Sequence, residues 1–172
     1  MSKRTDISAL EFGPGPRLTP CAKMSRMSDD PISVPESEQT PEQKAEQEKQ
    51  FAQADLIKEL LDQLKPKSSA LLQQARSLAH EPTKEQLQAL VDEIDQVAQA
   101  GRNAQGRMDS LDCPKESYVY KAIQALWEYS DLAHKDAKQA ADAAGDNDEV
   151  RGVAYGNMMQ NLEHADGQIQ QA

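Results

Sequence analysis

The sequence predicts an all-α protein, an antiparallel up-and-down bundle of about four helices that follows a disordered N-terminal tail. Apolar or small residues recur at alternating steps of three and four residues, the spacing that keeps one side of a helix against a neighbour, as in a coiled coil. Aromatic residues make up only 4% of the chain, whereas Gln and Ala are abundant, and this composition favours helices over sheets. We therefore expect helices at 41–80, 83–112, 114–144 and 147–170.

The predicted tail covers residues 1–40, and the predicted bundle covers residues 41–172. The tail has no sustained apolar period and contains five prolines, Pro14, Pro16, Pro20, Pro31 and Pro35. Such a segment cannot bury enough apolar surface to offset the entropy lost on ordering, so we expect it to be disordered.

The first helix is expected to begin after Thr40, because Thr40-Pro41-Glu42-Gln43 combines a capping side chain, a proline at the first helical position and a capping box. Its apolar positions are Ile57, Leu61, Leu64, Ser68, Leu71, Ala75 and Leu78. Their phase continues across Pro66, where a break would be ordinary because proline removes one helical hydrogen bond. One helix bent at Pro66 is favoured over two separate helices.

The second helix has the most regular apolar pattern of the chain. A second capping box, formed by Thr83 and Gln86, precedes it, and Cys113-Pro114 ends it. Its seam consists of Leu87, Leu90, Ile94, Val97, Gly101, Ala104, Met108 and Leu111.

The third helix is expected to begin at Pro114 and to end at Gly145. Its apolar face comprises Val119, Ile123, Leu126, Ala133, Ala137, Ala140 and Ala144. The predicted face of the fourth helix comprises Val150, Val153, Ala154, Met158, Leu162, Ala165 and Ile169. If the second and third helices fold back on each other around Cys113, small residues meet large ones, as close packing requires. Gly101 and Ala104 then face the region of Ile123, Leu126 and Trp127, and Leu87, Leu90 and Ile94 face the region of Ala133, Ala137 and Ala140.

The charge of the chain points to a protein partner. Residues 1–27 hold five basic and two acidic residues, whereas the remaining 145 hold 14 basic and 27 acidic residues, for a net charge of −10 overall. An acidic bundle repels nucleic acids and anionic membranes, so we expect no direct binding to either. The same charge attracts basic surfaces on other proteins. No apolar run approaches the ~20 residues that a membrane-spanning helix needs, and no signal peptide is recognisable. We therefore expect a cytoplasmic location, and the alternative is export without a cleavable signal peptide.

No pattern of reactive residues predicts an enzyme, a cofactor or a metal site. The histidines are His80, His134 and His164, and Cys21 and Cys113 have neither metal-binding nor redox spacing. A di-metal bundle needs two Glu-x-x-His motifs and further inward carboxylates. The nearest match is the single half-motif from Asp131 to His134, which solvated helix residues explain.

The expected function is therefore non-enzymatic protein–protein interaction, as an adaptor, chaperone, inhibitor or secreted-effector module. The alternative is an acidic inhibitor that mimics nucleic acid and binds a nucleic-acid-binding protein. The carboxylates that such a mimic would use form three groups, Asp92/Glu93/Asp95, Asp109/Asp112/Glu116 and Asp142/Asp146/Asp148/Glu149. Self-association through the helical seams is left open by the sequence.

Tyr120 and Trp127 are the predicted protein-contact residues. Four of the seven aromatic side chains lie between residues 118 and 129, and Tyr120 and Trp127, seven positions apart, share one shoulder of the third helix. Aromatic residues on a partly exposed shoulder are common anchors for a partner. The alternative is that a neighbouring helix covers this shoulder.

Overall fold

Four helices make up the structure, a computed structural model that describes residues 40–78 and 82–172. They are α1 (Pro41–Ser77), α2 (Lys84–Ser110), α3 (Tyr118–Ala143) and α4 (Asp148–Gln171). The described residues contain no strand, and the predicted all-α bundle is confirmed. The predictions for residues 1–39, which include the tail and Cys21, and for His80 fall outside the described residues.

The helices pack as an antiparallel up-and-down bundle in which α1 contacts α2 and α4, and α3 contacts the same two helices from the other side. Lys49 near the start of α1 binds Asp112 just after the end of α2, with 2.9 Å between Nζ and Oδ2. Tyr118 at the start of α3 donates a hydrogen bond to Gln171 at the end of α4. These end-to-end pairs fix the alternating direction of the four helices.

α1 is one continuous helix that contains Pro66 in its interior, as the unbroken apolar phase predicts. Its N-terminal capping box between Thr40 and Gln43 is formed. In the first half, however, Leu56 and Leu60 are buried, whereas the predicted seam residues Ile57 and Leu61 are only partly buried. Because residues 56–57 and 60–61 are all apolar, the pattern of spacing fits either the first or the second residue of each pair. In the packed bundle the first residue of each pair is buried.

α2 and α3 pack as the sequence predicts. The α2 seam from Leu87 to Met108 is buried throughout, including Gly101. A Cβ atom added to Gly101 would lie 2.9 Å from Cβ of Trp127, so this glycine gives the indole-bearing residue the room to approach. At the other end of the pair, Leu87 packs in a cluster with Ala140 and Ala141, so a large residue again lies opposite small ones.

The turn between α2 and α3 shows why α3 begins at Tyr118 and not at Pro114. The Ser117 side chain accepts a hydrogen bond from the backbone N–H of Tyr120 and so caps the helix, while residues 114–117 form a separate turn. α2 ends in a Schellman motif, with the N–H of Cys113 bonded to the carbonyl of Met108 and Asp112 at φ 50°. Gly145, at φ 90°, ends α3 in the predicted way.

The apolar face of α4 is narrower than predicted. Ala154, Met158, Leu162, Ala165 and Ile169 are buried, but Val150 and Val153 are 36% and 63% exposed. Val153 lies about 100° around the helix from Ala154, which is enough to turn its side chain out of the core. The predicted face of α4 included Val153 because valine is apolar. The alternating three- and four-residue spacing of the buried residues does not require Val153.

Candidate interaction surfaces

The predicted contact residues Tyr120 and Trp127 both lie against α2. Tyr120 is only 4% exposed, and Trp127 is partly buried beside Gly101. The guanidinium carbon of Arg102 lies 5.5 Å from the centre of the Trp127 ring, a cation–π distance. Arg102 also forms an ion pair with Asp131 of α3, so the outer edge of the indole is covered by a charged pair.

Gln105 of α2 joins the two aromatic residues through both ends of its side-chain amide. Its Oε1 accepts a hydrogen bond of 2.6 Å from Nε1 of Trp127, and its Nε2 donates one of 2.9 Å to the Tyr120 hydroxyl. The Tyr120 hydroxyl in turn donates to Asp109 at 3.0 Å. The polar atoms of both aromatic residues are thus satisfied inside the bundle, and the cluster holds α2 and α3 together.

The role of Gln105 was not predicted from the sequence. Gln105 follows Gly101 by one helical turn, so it flanks the point at which α2 and α3 approach most closely, and only that placement could have indicated its role. Contact of Tyr120 and Trp127 with a partner stays a prediction. In the arrangement seen here both residues already have partners on α2.

Two of the three predicted carboxylate groups lie at the same end of the bundle. We use the name acidic end for eight carboxylates in the first half of α2, the last turn of α3 and the start of α4. They are Glu85, Asp92, Glu93, Asp95, Asp142, Asp146, Asp148 and Glu149. Within the described residues, only Asp148 of these eight has a cation within 4 Å, namely Arg151 at 3.2 Å. The other seven have no cation within 4 Å in this part of the protein, although Glu93 and Asp95 accept hydrogen bonds from Gln74 and Gln99.

The third group, Asp109, Asp112 and Glu116, is different because each carboxylate lies near a lysine. The nitrogen–oxygen distances are 3.6 Å to Lys115, 2.9 Å to Lys49 and 2.6 Å to Lys121, respectively. The hydrogen bonds from Lys49 and Lys121 lower the pKa of Asp112 and of Glu116. The carboxylates of this group are therefore paired within the bundle, whereas seven of the eight at the acidic end have no cation within 4 Å among the described residues.

The residues considered for metal or nucleophilic chemistry are dispersed. Asp131 of the half-motif is paired with Arg102, and the ring of His164 meets the edge of Tyr129 with 5.2 Å between ring centres. Cys113 is buried at the α2–α3 turn, and its burial raises the pKa of the thiol. In the described ranges, no group of three or more His, Cys, Asp and Glu side chains is placed to hold a metal ion.

None of the four described helices is long and apolar enough to cross a membrane. Comparison of the chain with protein-family models, with curated proteins and with solved structures gives no significant match.

Proposed function

We propose that this chain is a non-enzymatic interaction protein whose acidic end binds a basic surface on another protein. The observation that carries the proposal is the set of seven carboxylates at this end that have no cation within 4 Å among the described residues. Lys84, Lys135 and Lys138 share this end but leave it net negative. Unneutralised charge of one sign attracts a partner of the opposite sign and raises its association rate.

The packing beneath the acidic end supports a binding role. Leu87 of α2, Ala140 and Ala141 of α3, and Ala154 of α4 form a buried cluster under these carboxylates. Since alanine side chains bring helix backbones close together, the three helices that bear the charges are held at fixed spacing. A preorganised set of charges binds with less loss of conformational entropy than a flexible acidic segment.

The proposal places the protein among adaptors, chaperones, inhibitors and secreted-effector modules, with the cytoplasm as its expected location and without direct binding of nucleic acid. The alternative function is mimicry of nucleic acid. A mimic binds its partner at the partner's nucleic-acid site, so DNA or RNA displaces it competitively. An adaptor or chaperone contact at another basic site is not displaced in this way.

The test is affinity capture from cells that naturally produce the protein, with two charge-matched variants. The acid-end variant carries Asp92→Asn, Asp95→Asn, Asp142→Asn and Asp146→Asn. The arm variant carries Glu42→Gln, Glu46→Gln, Glu48→Gln and Asp55→Asn, all in the exposed first turns of α1. Both raise the net charge by the same amount, and circular dichroism establishes that both remain helical.

We expect a partner that is retained by the wild-type protein and by the arm variant and is lost from the acid-end variant. A partner retained equally by both variants contradicts the proposal. Addition of DNA and RNA to the same capture then separates the two functions, because only a nucleic-acid mimic releases its partner.

A further inference from the structure

The outer face formed by α3 and α4 carries most of the exposed large apolar side chains of the described residues and few charged ones. Of the large apolar side chains that are most exposed, Tyr118, Leu132, Val150 and Val153 lie on this face, and only Phe51 lies elsewhere among the described residues. The hydrogen bond from Tyr118 to Gln171 and the packing of Tyr129 on His164 show that these residues line the α3–α4 boundary. We call this surface the α3–α4 face.

Helical spacing defines the members of the α3–α4 face. They are Tyr118, Lys121, Ala125, Tyr129, Leu132, Asp136, Gln139 and Ala143 from α3, and Val150, Val153, Asn157, Asn161, His164, Gln168 and Gln171 from α4. The charged residues among them are Lys121 at the rim and Asp136, which accepts a hydrogen bond of 2.9 Å from Asn161. Charged residues are 28% of the whole chain, so their depletion here is marked, and depletion of charge with aromatic enrichment characterises the centre of protein interfaces.

We propose that the α3–α4 face binds the same face of a second copy of this chain, giving a two-fold symmetric dimer in which each α3 lies antiparallel to its counterpart. The charge distribution allows a second copy to approach at this face, where few charged residues lie. The described residues hold 22 acidic and 14 basic side chains, so two copies repel each other wherever their charged surfaces meet. This face allows them to approach without opposing carboxylates.

The area of the face is sufficient for a stable dimer. With a rise of about 1.5 Å per residue, the distance from Tyr118 to Gln139 is roughly 32 Å, and two adjacent helices are about 20 Å wide. The face thus offers on the order of 600 Å² per copy, or about 1,200 Å² in total, which reaches the lower limit of specific stable interfaces.

The antiparallel arrangement also makes the face complementary to itself. If Tyr118 of one copy lies over Gln139 of the other, then Leu132 lies over Ala125, and a large side chain again meets a small one. In the same register Lys121, at the rim of the face, lies over Asp136, so opposite charges meet twice in the dimer. Tyr118 then enters a cleft of about 200 Å³ that is lined by Gln139, Glu149, Val150 and Val153.

The backbone of α4 adds room for this approach. A Cβ atom added to Gly156 or Gly167 would have no neighbour within 4 Å in the described part of the chain. Both glycines lie on the solvent side of α4, next to the face, where they leave the helix backbone accessible. The face borders the acidic end at Glu149, which lines the cleft. The substitutions that test the dimer leave all eight carboxylates of the acidic end unchanged, so failure of the dimer and failure of the proposed function are distinguishable.

The oligomeric state of the full-length protein tests the dimer. Sedimentation velocity over about 1 to 200 µM is expected to show a monomer–dimer equilibrium that follows mass action. Leu132→Glu and Val153→Glu should each weaken the dimer by about tenfold or more, because each places a carboxylate in the interface centre. Phe51→Glu is the matched control, since Phe51 is 62% exposed on another surface and its replacement should leave the dimer unchanged.

The register is tested by exchange of charge. Lys121→Asp and Asp136→Lys should each weaken the dimer, and the double variant should restore it toward wild-type strength, because the opposite charges still meet. A wild-type monomer over the whole concentration range overturns the proposal, and so does a dimer that persists in Leu132→Glu and Val153→Glu. Failure of the double variant to restore binding overturns the antiparallel register.

Discussion

Gly101 and Gly106 sit in the same helix, but their surroundings call for opposite effects of substitution. A Cβ atom at Gly101 would lie 2.9 Å from Cβ of Trp127, whereas at Gly106 it would have no described neighbour within 4 Å. Gly101→Leu is therefore expected to lower the free energy of unfolding by ~1–3 kcal/mol through overpacking. Gly106→Ala is expected to raise it by ~0.4–1 kcal/mol, because alanine reduces the entropy of the unfolded chain. Urea denaturation measures both, and equal effects would contradict the described register of α2 on α3.

Tyr120 and Tyr118 provide a second comparison, two residues apart on α3. Tyr120 is buried and bonded to Gln105 and Asp109, whereas Tyr118 is 50% exposed. Truncation of a buried aromatic residue leaves a cavity, so Tyr120→Ala should lower the free energy of unfolding by roughly 3–5 kcal/mol. Tyr118→Ala should change it by less than about 0.5 kcal/mol, as expected for a surface position. If thermal unfolding shows little loss for Tyr120→Ala, the residue is not part of the α2–α3 interface, and the predicted role as a partner anchor gains support.

At the scale of the helices, α1 packs its buried leucines into the core and is also joined to α2 by polar and ionic pairs. Arg107 of α2 forms two hydrogen bonds with the Glu59 carboxylate, at 3.1 and 2.9 Å, and Lys49 binds Asp112. The hydrogen bonds from Arg107 are the main cause that lowers the pKa of Glu59 below its usual value of 4.5. A lowered folded-state pKa stabilises the folded protein above the unfolded value, and that contribution disappears as the pH falls through the folded value.

The Glu59→Gln variant tests this linkage. At pH 7 it should melt at a lower temperature than the wild-type protein, because the charged pair with Arg107 is lost. The difference should shrink as the pH falls from the usual Glu value of 4.5 through the lowered pKa of the folded state, where Glu59 in the folded protein becomes protonated. Glu46→Gln, in the exposed first turns of α1, is the control and should show no such pH dependence. A difference that stays constant with pH would rule out an ionic contribution from Glu59.

The helices also show which features a sequence can predict. The α2 seam was predicted correctly from Leu87 to Met108 because its apolar residues leave only one helical phase, whereas the predicted Leu111 caps the helix and is only partly buried. In the first half of α1 the phase was misplaced by one residue, because Leu56 and Ile57, like Leu60 and Leu61, are interchangeable in a pattern of apolar spacing. From Leu64 to Ala75 the predicted phase of α1 is correct. The exposure of Val150 and Val153 depends on how α4 is rotated against α1 and α3. The hydrogen bonds of Gln105 to Trp127 and Tyr120 depend on how α2 and α3 approach each other. Both features are set by tertiary packing, so the local sequence does not predict them.

At the scale of the whole molecule, the surface is divided by charge. The acidic end carries seven carboxylates without a cation within 4 Å, the group at the α2–α3 turn is paired with lysines, and the α3–α4 face contains a single carboxylate. A buried core of alanine and leucine fixes these surfaces relative to one another within the bundle. We propose that a basic partner binds one of these surfaces and that a second copy of the chain binds another.

The salt dependence of partner binding tests the central claim, that the acidic end recognises a basic protein surface. Once a partner has been identified by capture, its dissociation constant is measured by calorimetry between about 50 and 300 mM NaCl, a range over which exposed charges become progressively screened. For the wild-type protein and for the arm variant, we expect the dissociation constant to rise about tenfold or more with salt, mainly through slower association. For the acid-end variant, weak binding with little dependence on salt is expected. Binding that is insensitive to salt in the wild-type protein, or an equal salt dependence in the acid-end variant, would contradict the account.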